Sequence, residues 1–268
     1  QNNNVTFLIP FVVGCSSGFI FFSQNLYFSS CLIVLPAFYI SLQLQALQRF
    51  KKLPVFLFGV LYFLRGFEFS TIFALLTAFS AALFAAGSLV TKIKSALLGF
   101  VLICSAFVVS IMLHVIFISA DSEQSVLDIM RLFLGNIQHR TQSLSGVPVP
   151  FGVGFMKEMD ERWSFPAFSI IADGFMLSQL NVIYLMIFGM FIRLWRITDN
   201  EKIIYAYGFI GYSSWYIFAY QHIMWHKMYD WYIFALTIGI SFGLLLIFYG
   251  SLAIDFFQGI HSRFIKND

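Results

Sequence analysis

Apolar residues run along this chain in blocks of about twenty, broken by short polar or charged punctuation. A helix of roughly 20 apolar residues crosses the ~30 Å hydrocarbon core of a bilayer. The blocks fall at about 5–23, 26–47, 53–66, 69–90, 95–120, 166–193, 203–223 and 231–256. This pattern predicts an all-α, polytopic integral membrane protein with about eight transmembrane helices. The third block is the weakest. From Leu53 to Val90 the chain is almost continuously apolar, and Arg65-Gly66-Phe67-Glu68 marks a turn inside it. The alternative is one long tilted span plus an interfacial helix, which makes seven spans.

Basic residues choose between these counts, because short cytoplasmic connections carry an excess of Lys and Arg. Such connections occur at Arg49-Phe50-Lys51-Lys52, at Lys92-Ile93-Lys94, from Arg193 to Lys202, and near Arg263 and Lys266. Eight spans put all of them on one side, whereas seven put the first opposite the rest. Eight is therefore preferred, with both observed ends cytoplasmic. The opposite side receives the turn at Arg65–Glu68, the loop 121–165 and the segment 221–230. No internal repeat or second soluble domain interrupts the pattern, so residues 1–268 are expected to form a single transmembrane domain.

Composition agrees. Of 268 residues, 59% are hydrophobic and 11% charged, the mean hydropathy is +0.82, and 35 are Phe. A soluble domain of this size needs far more charge on its surface. The net charge of +3 carries no nucleic-acid signal. Cys15, Cys31 and Cys104 sit inside apolar runs without pairing or metal spacing, and read as packing residues. The chain opens on Gln1 with no basic region and cleavage site behind it, so residues upstream are expected to be missing.

The polar remainder holds the candidate chemistry. In the loop, Val126–Leu134 is amphipathic and suits a membrane surface. His139 and Arg140 precede a Gly/Pro run, Pro148-Val149-Pro150-Phe151-Gly152-Val153-Gly154, and Arg162 follows it. The prolines hold the backbone extended, and Gly152 and Gly154 permit close approach to a ligand. Arginine stays charged and grips phosphate with two parallel bonds, so Arg140 and Arg162 are candidates for holding a phosphorylated substrate. The plainer reading is a re-entrant loop whose charges pair with each other.

The second cluster spans 221–230. His222, His226 and Asp230 are spaced i, i+4, i+8 and share one face of a continuing helix. They suit acid–base work or phosphate binding. Two histidines without a third ligand make a weak metal signal. Trp225, Tyr229, Trp231 and Tyr232 alternatively make the whole patch an interfacial aromatic belt. Ionisable residues near spans are functional by default. Asp173, His114, Arg65 and Glu68 all fall near the outer ends, although Arg65 and Glu68 also suit a simple pair. The sites thus gather toward one outer vestibule.

Three stretches together carry a resemblance. Leu75-Leu76-Thr77-Ala78-Phe79-Ser80-Ala81-Ala82-Leu83 is followed by another span. Then comes Arg131 or Arg140 ahead of Pro150-Phe151-Gly152-Val153-Gly154-Phe155, and finally Ser169-Ile170-Ile171-Ala172-Asp173-Gly174. This order resembles bacterial O-antigen and capsule polymerases and the related O-antigen ligases, membrane glycosyltransferases of the GT-C type, over about residues 70–195. The departures are fewer spans and Ala81 where an arginine commonly follows the serine. Histidines near the last spans also look like other transferases that use polyprenyl-linked sugars.

The resemblance implies a membrane glycosyltransferase acting on polyprenyl-diphosphate-linked glycans at the non-cytoplasmic face of a bacterial inner membrane. An organellar membrane is the alternative location. His139, His222 and Asp173 would be catalytic. Arg140, Arg162, Arg65, His226, Gly152 and Gly154 would bind substrate. No cofactor or metal is required, since arginine supplies the positive charge. The partners expected are the bilayer, the lipid-linked glycan and further membrane subunits, but no nucleic acid. The rival reading is a non-catalytic membrane subunit of a transport, secretion or respiratory assembly. A transporter coupled through Asp173 and Glu68 is a third.

Overall fold

The computed structural model describes residues 30–67, 69–122, 124–141, 160–169, 176–218 and 227–250. It is mostly helical. In chain order come α1 (Ser30–Leu47), α2 (Lys52–Arg65), α3 (Ser70–Phe84), α4 (Leu89–Ser122), α5 (Val126–Thr141), β1 (Pro166–Ser169), β2 (Met176–Ser178), α6 (Gln179–Arg193), α7 (Asp199–Phe218) and α8 (Lys227–Phe234). Beyond Phe234, α8 passes through a π-helical turn, Ala235–Gly239, and stays helical to Gly250.

The centre of the bundle is α3. Its sequence, STIFALLTAFSAALF, has no charged side and buries Ile72 through Ala74 and Leu76 through Ala82. A helix apolar all round belongs inside, and its small residues let α1, α4 and α7 pack against it from different directions. Thr77 turns its hydroxyl back onto the Phe73 carbonyl at 2.9 Å, so this buried hydroxyl is satisfied within the helix.

The α2–α4 contact shows how closely helices approach here. A Cβ on Gly59 would stand 2.7 Å from Ala106 Cβ and 3.2 Å from Ile103 Cδ1. Close approach through small residues is the ordinary device of helices packed in apolar surroundings. Nearby, Ser110 Oγ donates to Ala106 O at 2.8 Å and reaches Val60 O on α2 at 3.3 Å. Gly59→Val should therefore destabilise the protein by about 1–3 kcal/mol through overpacking, read as a lower unfolding temperature in detergent, while Val60→Ala one residue away should be mild.

Several element bounds differ from the apolar blocks. The turn at 65–69 is present: α2 ends at Arg65 and α3 begins at Ser70. The fourth block is shorter than expected, because the chain leaves helix at Ala85 and turns at Gly87, whose φ of 97° suits glycine. Lys92 explains the stop. Its Nζ donates to Ala85 O at 2.7 Å and to Asn200 Oδ1 at 3.0 Å, capping the carbonyl end of α3 and tying it to the start of α7. The sixth block is a correction to an all-α chain. Residues 166–169 and 176–178 pair as antiparallel strands, with Pro166 opposite Ser178 and Ser169 opposite Met176, so helix begins only at Gln179. Pro166 has no N–H to donate, and Asp173-Gly174 between the strands is a hairpin signal.

Two of the described helices, Leu89–Ser122 and Tyr229–Gly250, are long and apolar enough to cross a membrane by length and composition. Leu32–Leu47, Ser70–Phe84 and Gln179–Arg193 are apolar but shorter.

Candidate functional site

One end of the bundle collects the loop's return, the hairpin and the start of α8. A helical turn at 160–163 precedes the hairpin and carries Arg162. Backbone bonds anchor it: Phe165 N–H donates to Arg162 O at 3.0 Å, and Gln179 N–H donates to Phe165 O at 2.9 Å. Trp231 Nε1 donates to Pro166 O, which ties the hairpin to α8. Ser178 caps α6 by accepting from Asn181 N–H at 3.2 Å.

This scaffold buries an ion pair. Arg162 Nη1 donates to Asp230 Oδ2, and both side chains are 0% exposed. Around them stand Tyr212, Trp215 and Tyr216 from the last turns of α7 and Gln179 from the first turn of α6, all buried. Tyr216 OH donates to Tyr212 OH at 2.9 Å, and Tyr212 OH reaches Gln179 Oε1 at 3.5 Å. Trp215 and Tyr216 flank the Asp230 carboxylate. Phe69 closes the cluster from the α2–α3 turn, with ring centroids 5.4 Å from Trp215 and 5.2 Å from Tyr232. Its backbone is left-handed, at φ 58°, a conformation that a bulky residue holds only when its surroundings insist.

The opposite end holds a second buried charge. Glu201, 0% exposed, accepts from Arg193 Nε at 3.2 Å, from Thr198 N–H at 2.8 Å and Oγ1 at 2.7 Å, and from Tyr249 OH at 2.8 Å. Arg193 also lies over the Tyr249 ring, 5.6 Å from its centroid. Burial opposes ionisation of Glu201, but the bonds from Thr198, Arg193 and Tyr249 outweigh it and hold the carboxyl below its usual range. The cluster locks the end of α6, the start of α7 and the end of α8 together.

These contacts sort the chain's polar segments by end. The connection bearing Lys92 meets Asn200, so two of the basic connections lie side by side. At the far end the turn before α3, the return of the loop and the start of α8 converge. Of the residues expected to serve a site, Arg162 is there, bonded to Asp230. Arg65 is exposed at the end of α2. His139 and Arg140 belong to the last turn of α5, with side chains outside the described ones, and α5 is helical past the amphipathic stretch. Glu68, Gly152, Gly154, Asp173, His222 and His226 lie outside the described residues. His114 packs edge-on against Phe67, ring centroids 5.2 Å apart, within an aromatic group that also holds Phe107 and Phe133.

Sequence reasoning did not find Gln179, Tyr212, Tyr216 or the Glu201 cluster. Arg193 to Lys202 had read only as a topology signal. The phrase Thr198-Asp199-Asn200-Glu201 was informative, because it is a capping box: Thr198 Oγ1 accepts from Glu201 N–H at 3.3 Å while the Glu201 carboxylate returns to Thr198 N–H. No group of His, Cys, Asp and Glu suited to a metal occurs among the described residues. The chain matches no family model, no curated protein and no solved structure.

Proposed function

We propose that this chain is a multi-pass membrane glycosyltransferase that acts on polyprenyl-diphosphate-linked glycans at the non-cytoplasmic face of a bacterial inner membrane. The Arg162–Asp230 pair carries the reading. It joins the helical turn 160–163, which follows the Gly/Pro loop in sequence, to the start of α8, which follows His222 and His226 in sequence, and those two stretches carry the residue types suited to phosphate binding and acid–base chemistry. The lipid setting draws support from α4, where Leu97, Val101, Val108, Met112 and Ile116 are exposed along a helix of 34 residues. So large an apolar face suits lipid and not water.

In this reading the diphosphate of the lipid-linked donor competes with Asp230 for Arg162, assisted by Arg140 and Arg65. The acceptor hydroxyl attacks the anomeric carbon, the bond from that carbon to the phosphate oxygen breaks, and the lipid diphosphate leaves as an anion. The hydroxyl proton passes to a base, for which His139, His222 and Asp173 are the candidates. Arginine stabilises the leaving charge where water is excluded.

The test is release of polyprenyl diphosphate by the purified protein given a lipid-linked oligosaccharide. Arg162→Lys keeps the buried charge and loses the forked bond, so transfer should fall by roughly ten- to hundred-fold, the equivalent of about 1.5–3 kcal/mol for a charge-assisted hydrogen bond. The unfolding temperature should stay near that of the parent. If the parent transfers nothing, or Arg162→Lys transfers as the parent does, the non-catalytic subunit becomes the better reading.

A further inference from the structure

The bundle leaves a crevice that the transferase reading does not use. Helices α4 and α7 both pack on α3 and scarcely touch each other. Between them, over α3, lies a space of about 350 Å³. Ala74 is its floor. Phe100, Cys104 and Phe107 of α4 form one wall, and Ile210 and Phe218 of α7 form the other. At a rise of 1.5 Å per residue these walls run for about 10–12 Å along the bundle. Ile210 and Phe218 are exposed, so the crevice opens sideways from the bundle. Its α4 wall continues round that helix into the exposed Leu97, Val101 and Val108.

Most of this lining has nothing to offer water. Hydroxyls enter at one end, from Ser70, Thr71 and Ser214. Ser70 already donates to Phe67 O, and Ser214 to Gly211 O at 2.7 Å. The rest is carbon and one thiol, and no charged side chain takes part. An ordered water needs several polar partners, whereas an apolar cavity stays dry and takes up apolar molecules. The space is more than twice the roughly 150 Å³ that admits benzene. Walls left bare forfeit their dispersion contacts. Hydrocarbon is therefore the fitting occupant, and in a membrane it stands ready on the side where the crevice opens. Shape selects among lipids. The space is long, and the rings of Phe63, Phe100, Phe107 and Phe218 crowd it. That suits an unbranched chain better than a methyl-branched chain or fused rings.

We propose that this crevice binds one acyl chain of a bilayer phospholipid, which enters from the side and stands in for the α4–α7 contact that the bundle largely lacks. The proposal rests on the membrane setting of the reading above and not on its sugar chemistry. Ser70 and Ser214 adjoin Phe69 and Trp215, whose rings lie 5.4 Å apart. The chain therefore descends from the end of the bundle that holds Arg162 and Asp230.

The test uses purified protein in phosphatidylcholine liposomes, a small share of whose lipid carries a diazirine in one acyl chain. After irradiation, mass spectrometry of the peptides locates the label. Label at Cys104 and Phe107 should exceed label at Val101 and Met112, on the open face of α4, severalfold. Ile210→Trp fills the mouth from an exposed position, and Ala74→Leu raises the floor. Each should lower the crevice label severalfold and leave the open-face label unchanged, with an unfolding temperature near that of the parent. Equal label on crevice and open face overturns the proposal, as does crevice label that both variants leave unchanged. Crevice label abolished by a small share of polyprenyl phosphate also overturns it, and gives the space to a branched chain. The assay contains no glycan, so its failure is separate from failure of the transferase reading.

Discussion

Arg162→Met or Asp230→Leu alone should destabilise the protein by about 3–5 kcal/mol, and the double variant by far less. Each partner is 0% exposed, so removing one takes this counter-charge from an ion held away from water. Keeping an ion out of water after its counter-charge is removed is costly. Removing both replaces the pair by apolar bulk of similar volume, among Phe69, Trp215 and Tyr232, where such bulk is welcome. Unfolding in detergent micelles, run as a double-mutant cycle, should return a strong favourable coupling between the two sites. The cycle also separates two roles. A double variant that stays folded but transfers no sugar assigns Arg162 and Asp230 to the chemistry. One that stays folded and active makes the pair a structural clasp, and takes away the observation on which the transferase reading rests.

The second large effect is an acid one. The Glu201 carboxyl is held below its usual range by the Thr198, Arg193 and Tyr249 bonds. A carboxyl whose folded pKa lies under its unfolded value, about 4.3 for Glu, lends stability that is fully present above the unfolded pKa. That contribution drains away as pH falls through the folded one. Unfolding temperature followed from pH 7 downward should therefore drop on acidification in the parent protein. In Glu201→Gln it should start lower and fall less steeply, since the amide cannot titrate. The difference between the two curves isolates Glu201 from the exposed carboxylates Asp128 and Asp199. Parallel curves would mean that the cluster does not hold the ionised form.

Much of the helical layout was legible in the order of residues. The α2–α3 turn followed from a single charged interruption in an apolar run. The amphipathic start of α5 and the span-forming character of 95–120 followed from hydropathy alone. Both are local properties, fixed within a few helical turns. The β-pair at 166–178 was missed because apolar run length outweighed Asp173-Gly174, although that dipeptide is a hairpin signal in its own right. The 3.6-residue and two-residue periods cannot be told apart in a short, wholly apolar stretch.

The candidate site was legible only by residue type. Arg162 stood out as a cation beside a Gly/Pro loop, and Asp230 as one of three residues on a helical face. Nothing in the sequence paired them. They are 68 positions apart, and hydropathy treats a buried arginine as it treats an exposed one. Sequence by itself determined that this chain is dominated by apolar helices, where they turn, and which few polar residues are left over. Tertiary structure alone decided which of those residues meet. A charge inside a low-dielectric bundle needs a partner, and the fold supplied Asp230 to Arg162 and Glu201 to Arg193 through helices that the chain brings together only once it is packed.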